Sequence, residues 1–220
     1  MNPKEQEILH LKEEIKEMWR TIISQLENAK KSFLFNDIPL AMEVNKKETH
    51  VNNLELKIDK NCENFIALFN PVAIDLRMAL SIMKISVTLE RIGDYTNSIA
   101  RHVLNEQCIE FNKKAIEHLD IERLFDAVIN MILDSYVAFD NENVKNAKKI
   151  LLKDKEVNKI YQQSIIKLTN FVKQNQEDAN CVLMMMVLMR NMERIGDHCK
   201  NIVEEIVFYL DAKVLKHTGK

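Results

Sequence analysis

Two copies of one acidic pentapeptide carry the clearest chemical signal in this chain: Glu90-Arg91-Ile92-Gly93-Asp94 and Glu193-Arg194-Ile195-Gly196-Asp197. Within each copy Glu and Asp stand four residues apart, so on a helix both carboxylates leave the same face, about 40° apart around the axis. Like charges held side by side repel, and an oxygen-rich pair suits a hard cation better than a soft one. The polar line of the first copy continues through Asn97 and Arg101, and a second stretch, Glu48, Asn52, Glu55 and Asp59, advances by the same steps. Two such stripes on neighbouring helices of a bundle can converge on a metal ion. The competing reading is a solvated face closed by ion pairs to Arg91 or Lys84. The glycine adds a constraint, because each costs about 1 kcal/mol against alanine in a helix interior. Either another helix approaches closely there or a ligand needs the space. The matching stretch of the second half offers Asp154 and Asn158, then Tyr161 and Ile165 where the first has Glu55 and Asp59. A cation there would find fewer anionic ligands.

Other chemistry is thinly represented. A di-iron carboxylate oxidase needs two Glu-x-x-His motifs on separate helices; the sequence contains one, Glu7 to His10, near a terminus. His198 directly follows Asp197 and so projects about 100° away from it, which fits a structural or surface histidine better than a ligand; Tyr95 takes its place in the other half. No glycine-rich phosphate loop, nucleophile elbow or Cys/His pairing is present, so an enzyme is not indicated. Met185 and Met192 fit a buried seam, whereas Met184 and Met186 are free to face a second copy or the sister bundle. Trp19 reads as a buried anchor.

The elements that must carry these residues are helices. Three glycines and three prolines in 220 residues, with many Leu, Ile, Lys and Glu, describe long helices with short joints. Capping residues and prolines at Asn36 to Pro39 and Asn70-Pro71, with Pro71 suited to a first helical position, and joints at Asp140-Asn141 and Gln174 to Asp178, predict six helices over 4–34, 39–69, 71–107, 113–139, 142–173 and 178–211. Ile82, Ile85, Leu89, Ile92, Thr96, Ile99 and Val103 step by three and four as a buried seam does. The sixth helix repeats every step 103 positions later, in Met185, Leu188, Met192, Ile195, Cys199, Ile202 and Ile206, and residues 48–58 correspond to 154–164 at a shift of 106. A duplicated three-helix unit follows: an all-α protein of two pseudo-symmetric three-helix bundles, residues 1–108 and 109–220.

The remaining composition narrows the partners. Lys and Arg number 31 against 33 Asp and Glu, for a net charge of -2, which leaves no electrostatic footprint for nucleic acid or an anionic membrane. The N-terminus is charged from the start, and the longest apolar run, Cys181 to Met189, is too short to span a bilayer. Cys62, Cys108, Cys181 and Cys199 lie far apart and read as free thiols in a reducing compartment, which predicts a cytoplasmic protein.

Four segments together resemble the PhoU family, regulators of bacterial phosphate uptake: Pro71 to Asp94, Met192 to Ile202, Val51 to Asp59, and Asp154 to Tyr161; the ending Leu215 to Gly219 is also similar. The resemblance runs over nearly the whole chain in order. It implies multinuclear metal clusters, of Fe, Zn, Mn or Mg, held by Glu90, Asp94, Glu193 and Asp197 with Glu48, Asn52, Glu55, Asp59, Asp154 and Asn158. Asn52 and Asn158 replace the aspartate of the family motif. The implied role is an adaptor without catalytic activity, contacting a phosphate ABC transporter through its ATPase subunit and a sensor histidine kinase, and holding the phosphate-starvation response off. It would meet membrane proteins without inserting into the membrane. A homodimer is expected on the resemblance and the methionine-rich sixth helix. The alternatives are an accessory protein of a phosphate permease and a metal store.

Overall fold

The structure, a computed structural model, describes residues 2–105 and 108–215. Its elements in order are α1 (Pro3–Phe35), α2 (Ile38–Lys46), α3 (Glu48–Phe69), α4 (Ile74–Leu104), α5 (Ile109–His118), α6 (Ile121–Asp140), α7 (Val144–Gln174) and α8 (Ala179–Asp211), with a 3-10 turn at Gln176–Asp178 before α8. No strand occurs among the described residues. Asn2 opens α1 with a capping box, accepting from the Glu5 amide at 2.8 Å while Glu5 accepts from the Asn2 amide at 3.0 Å. Asn36 and Asn70 close α1 and α3 in left-handed conformations, which asparagine tolerates.

Three joints differ from the sequence expectation. The helix expected over 39–69 breaks at Lys47 into α2 and α3, whereas its counterpart α7 runs unbroken. The fourth expected helix is preceded by a separate short one, α5, with the chain turning at Leu119 and Asp120. Pro71 is not the first residue of α4: the helix starts at Ile74, and Ala73 before it has φ 51°. Such a value costs a residue with a Cβ conformational energy. Most of the tail, residues 216–219, lies outside the described residues.

Both seams are buried along their full length, all seven residues of α4 and all seven of α8. Around them α1, α3 and α4 pack as one bundle, with α2 leading into α3, and α6, α7 and α8 as the other. The apolar interiors join into one cluster, in which Trp19 is fully buried and packs its ring against Phe139, centroids 5.5 Å apart. The bundles meet along α4 and α8. Lys84 pairs with Glu205 at 3.2 Å, Asn191 donates to Ser98 at 2.9 Å, and Asn105 approaches the Met184 sulfur at 3.5 Å, one common register of two antiparallel helices. A second seam joins α1 to α6, where Lys30 pairs with Asp126 at 2.7 Å and Lys16 with Asp140 at 3.0 Å.

The thiol expectation is corrected for two of the four cysteines. Cys108 and Cys181 form a disulfide between the start of α5 and the start of α8, while Cys62 and Cys199 are free and buried. Burial pushes the Cys62 thiol up to about 12, and it raises Cys199 further.

Candidate functional site

The first groove lies between α3 and α4. Three contacts fix the register: Asn97 and Arg101 donate to Glu48, Arg101 at 3.1 Å; Glu55 stands close enough to Glu90 to raise it; and Ser86 donates to Asp59 at 3.4 Å. The two stripes therefore run antiparallel and face each other, as their spacing predicts. Burial pushes the Glu90 carboxyl above the usual carboxylate range, reinforced by Asp94, Glu55 and Glu48 and opposed by Arg91. Burial likewise raises Asp94, with Glu48 adding and Arg101 opposing, and raises Glu55, with Asp59 adding. Asp59 is raised by burial and by Glu63 against the lowering hydrogen bond from Ser86. Glu48, Glu55, Glu90 and Asp94 thus form a partly desolvated anionic cluster in which Glu90 and Asp94 are raised by their neighbours. Arg101 pairs with Glu48, but the two ion pairs considered from the sequence do not close this face among the described residues: Lys84 turns to Glu205 on α8, and Arg91 enters none.

Two observations at the groove suit a hard cation. The buried amide oxygens Asn97 Oδ1 and Gln25 Oε1 have no hydrogen-bond partner among the described residues. Asn97 borders the groove through Glu48, and Gln25 Oε1 lies 4.0 Å from where a Cβ on Gly93 would stand. Orphaned buried oxygens ask for a proton donor, a water or a cation. Asn52, on the same stripe of α3 as Glu48 and Glu55, is exposed. As the side chains stand, no three carboxylate, imidazole or thiol groups among the described residues are arranged to hold a metal ion, so binding requires rotamer changes. The half-exposed Glu55 and the exposed Asp94 have the freedom to make them.

The glycines themselves are explained by packing. A Cβ on Gly93 would come within 3.1 Å of Ile22 Cδ1 and 3.4 Å of Val51 Cγ1; one on Gly196 would come within 3.2 Å of Val157 Cγ1. Each glycine lets a neighbouring helix come close, and at Gly196 the closest polar atom is Asp154 Oδ1, 3.7 Å away.

The second groove, between α7 and α8, is built otherwise. Lys200 occupies the place of Asn97, and its ammonium lies 2.9 Å from Asp154 Oδ2 and 2.6 Å from Asp197 Oδ1. Burial alone would lower this lysine, but hydrogen bonds to Asp197 and Asp154 hold it above the ordinary lysine range. Asn158 donates to the same Asp154 oxygen at 2.9 Å. Burial and Asp197 raise Glu193, which Arg190 and Arg194 oppose. Arg190 Nη1 stands 3.0 Å from Glu193 Oε2, yet its angle misses hydrogen-bond geometry, so that buried oxygen has a charged neighbour without a hydrogen bond. Arg190 also covers the Tyr161 ring at 5.8 Å, in the position where the first half has Glu55. Here the fit fails: a metal ion would have to displace an ammonium already held by two carboxylates.

The PhoU domain model of protein families matches residues 15–103 and 121–206, once for each half. The chain belongs to the PhoU family. A relative from Escherichia coli (strain K12), the phosphate-specific transport system accessory protein PhoU, is 30% identical over 213 residues, covering 97% of this chain and 87% of its own. The corresponding PhoU homolog of Pseudomonas putida is 29% identical over 195 residues, 89% of this chain and 75% of that one. Among solved structures, PhoU from Pseudomonas aeruginosa superposes with a TM-score of 0.86 at 25% identity, covering 95% of this chain and 99% of its own. The phosphate transport system regulatory protein PhoU from Streptococcus pneumoniae gives the same TM-score at 22% identity over 97% and 99%, a likeness of fold.

Within this PhoU-family chain, sequence reasoning located the carboxylates but missed what surrounds them. Extending the stripe of the second copy by the seven-residue step that leads from Glu90 to Asn97 reaches Lys200, a signal that was available. Gln25 carried none, because a glutamine on α1 does not announce that it lies under Gly93.

Proposed function

We propose that this protein is a cytoplasmic regulator of phosphate uptake that holds a hard or borderline cation, Mg, Mn, Fe or Zn, in the α3/α4 groove. It acts as a non-catalytic adaptor between a phosphate ABC transporter and a sensor histidine kinase. The observation that carries the regulatory reading is the match of both halves to one family whose relatives are named as accessory to phosphate-specific transport. No described helix is long and apolar enough to cross a membrane, which suits a protein that meets a transporter from outside the bilayer.

The groove supports the cation part of this reading by its charge. Burial and neighbouring carboxylates raise Glu90 and Asp94 above the usual carboxylate range in the folded protein, and a bound cation would neutralise that repulsion. The first half is the metal-binding half; the second uses Lys200. A self-associating surface is offered by Leu183 and Val187, which are well exposed one turn apart on α8 and support a homodimer. Elemental mass spectrometry of the purified protein and of the Glu90→Ala/Asp94→Ala variant tests the cation, with metal present in the first and absent in the second. Removal of the protein from its host tests the regulatory role: the starvation response should become constitutive. Metal binding without any change in that response would instead indicate a store.

A further inference from the structure

A third strip of polar residues runs between the two acidic grooves. On α4 it holds Arg91, Tyr95 and Ser98, and on α8 the equivalent Arg194, His198 and Asn201, all at least partly solvent-accessible. The antiparallel register set by Lys84 with Glu205, Ser98 with Asn191, and Asn105 with Met184 places Arg91 opposite His198 and Arg194 opposite Tyr95. The Tyr95 and His198 rings stack across the joint, centroids 5.6 Å apart and planes 25° apart. The two arginines thus flank a stacked aromatic pair on the pseudo-twofold axis that relates the halves. Burial disfavours the charged form of His198, Arg91 and Arg194 add to this, and Asp197 opposes it.

Every group in this strip can donate a hydrogen bond, and none is a carboxylate. Asn201 Nδ2 lies 3.4 Å from His198 Nδ1; when the amide donates to that nitrogen, the ring proton is on Nε2 and is a further donor. Both guanidiniums are exposed, and neither enters an ion pair within 4 Å among the described residues, although Glu90 and Glu193 precede them directly in sequence. Those carboxylates leave their helices toward α3 and α7. Among the described residues the two guanidiniums make no ion pair; Glu90, Glu193 and Asp197 act on this strip from its flanks, and the duplication has produced the same arginine twice.

We propose that Arg91 and Arg194, with His198 and Tyr95 between them, bind a tetrahedral oxyanion of the phosphate class on the pseudo-twofold axis. Guanidinium forks match the oxygens of a phosphate pairwise, and one fork from each half leaves further oxygens for the imidazole and phenol donors. A carboxylate that accepted both guanidinium forks bidentately would have no lone pair left for the imidazole and the phenol. The site deepens the regulatory reading by giving phosphate a place on the protein, but it rests on the arginines and not on the metal groove.

Isothermal titration calorimetry with inorganic phosphate, at fixed ionic strength and with EDTA present so that no bound metal can recruit the anion, tests the site. One saturable event per chain is expected, weakened at least tenfold in Arg91→Gln/Arg194→Gln and retained in Glu90→Ala/Asp94→Ala. Circular dichroism and thermal melting confirm that each variant is folded; should the double arginine variant fail to fold, the single Arg194→Gln serves, with a smaller loss. Phenyl phosphate is titrated alongside: tighter binding than inorganic phosphate assigns the site to a phosphorylated group of a larger ligand, and weaker binding to the free ion. Absence of saturable binding by either compound, or binding unchanged in the arginine variants, overturns the proposal. Such a result would leave the metal content and the starvation response to decide the regulatory reading separately.

Discussion

The two acidic grooves are built on the same repeat and end in opposite electrostatic states. In the first, four carboxylates stand together; among the described residues Arg101 and the Asn97 amide contact them directly, both at the Glu48 end, and Arg91 acts on Glu90 without an ion pair. In the second, Asp154 and Glu193 are more deeply buried than Glu48 and Glu90, and Lys200 lies between Asp154 and Asp197. Asparagine against lysine at one position, and Glu55 and Asp59 against Tyr161 and Ile165, separate a groove with a surplus of carboxylates from one that carries an internal ammonium. Duplication fixes where the backbones run and where carboxylates can converge. It does not fix whether they remain uncompensated.

The contrast can be broken most directly by metal content. Glu90→Ala/Asp94→Ala should abolish bound metal, whereas Glu193→Ala/Asp197→Ala should leave it unchanged; equal losses in both would mean that the grooves are equivalent after all. Lys200→Asn, which copies the first half into the second, should raise the metal stoichiometry under saturating metal. The same removal of the ammonium has a structural cost. Lys200→Ala leaves Asp154 buried with one partner fewer and should destabilise by about 1–2 kcal/mol, less than a fully buried pair because the lysine is partly solvated. Denaturant unfolding at pH 7 reads this, and Asn97→Ala provides the comparison in the open groove.

Smaller effects are expected at the glycines and with pH. Gly93→Ala meets the flexible end of Ile22, so the gain of about 1 kcal/mol in helix propensity should offset most of the crowding. Gly196→Ala meets the branched Val157 and should be the more destabilising of the two in thermal melts. In EDTA, Glu55, Glu90 and Asp94 keep protons in the folded chain at pH values where the unfolded chain has released them. Folding then takes up protons, so stability should rise as pH falls from neutrality toward the ordinary carboxylate range, and fall as pH rises through the elevated values. Saturating metal should reverse the trend, and a flat profile under both conditions would remove the groove from the account.

The long seams were legible in the sequence because burial along a helix repeats every three to four residues, and two copies 103 positions apart reinforce each other. Joints were less so. Lys46-Lys47-Glu48 holds neither glycine nor proline, yet the chain breaks there, and Ala73 adopts a positive φ that its residue type disfavours. These choices are set by tertiary packing. In the site, the facing of Glu55 with Glu90 followed from matching steps along two helices. The role of Lys200 required knowing that its side chain turns inward, and the pairing of Tyr95 with His198 required the register between α4 and α8.

The disulfide between Cys108 and Cys181, 73 residues apart, closes α5, α6 and α7 into a covalent ring that the first half has no equivalent of among the described residues. Closing a loop of that length removes disorder from the unfolded chain worth about 4 kcal/mol. A protease cut anywhere inside the ring would leave both fragments tethered, and they would separate on a gel only after reduction. A reducing environment opens the ring. The half that supplies its own cation would then also be the half whose resistance to unraveling depends on the surrounding thiol chemistry.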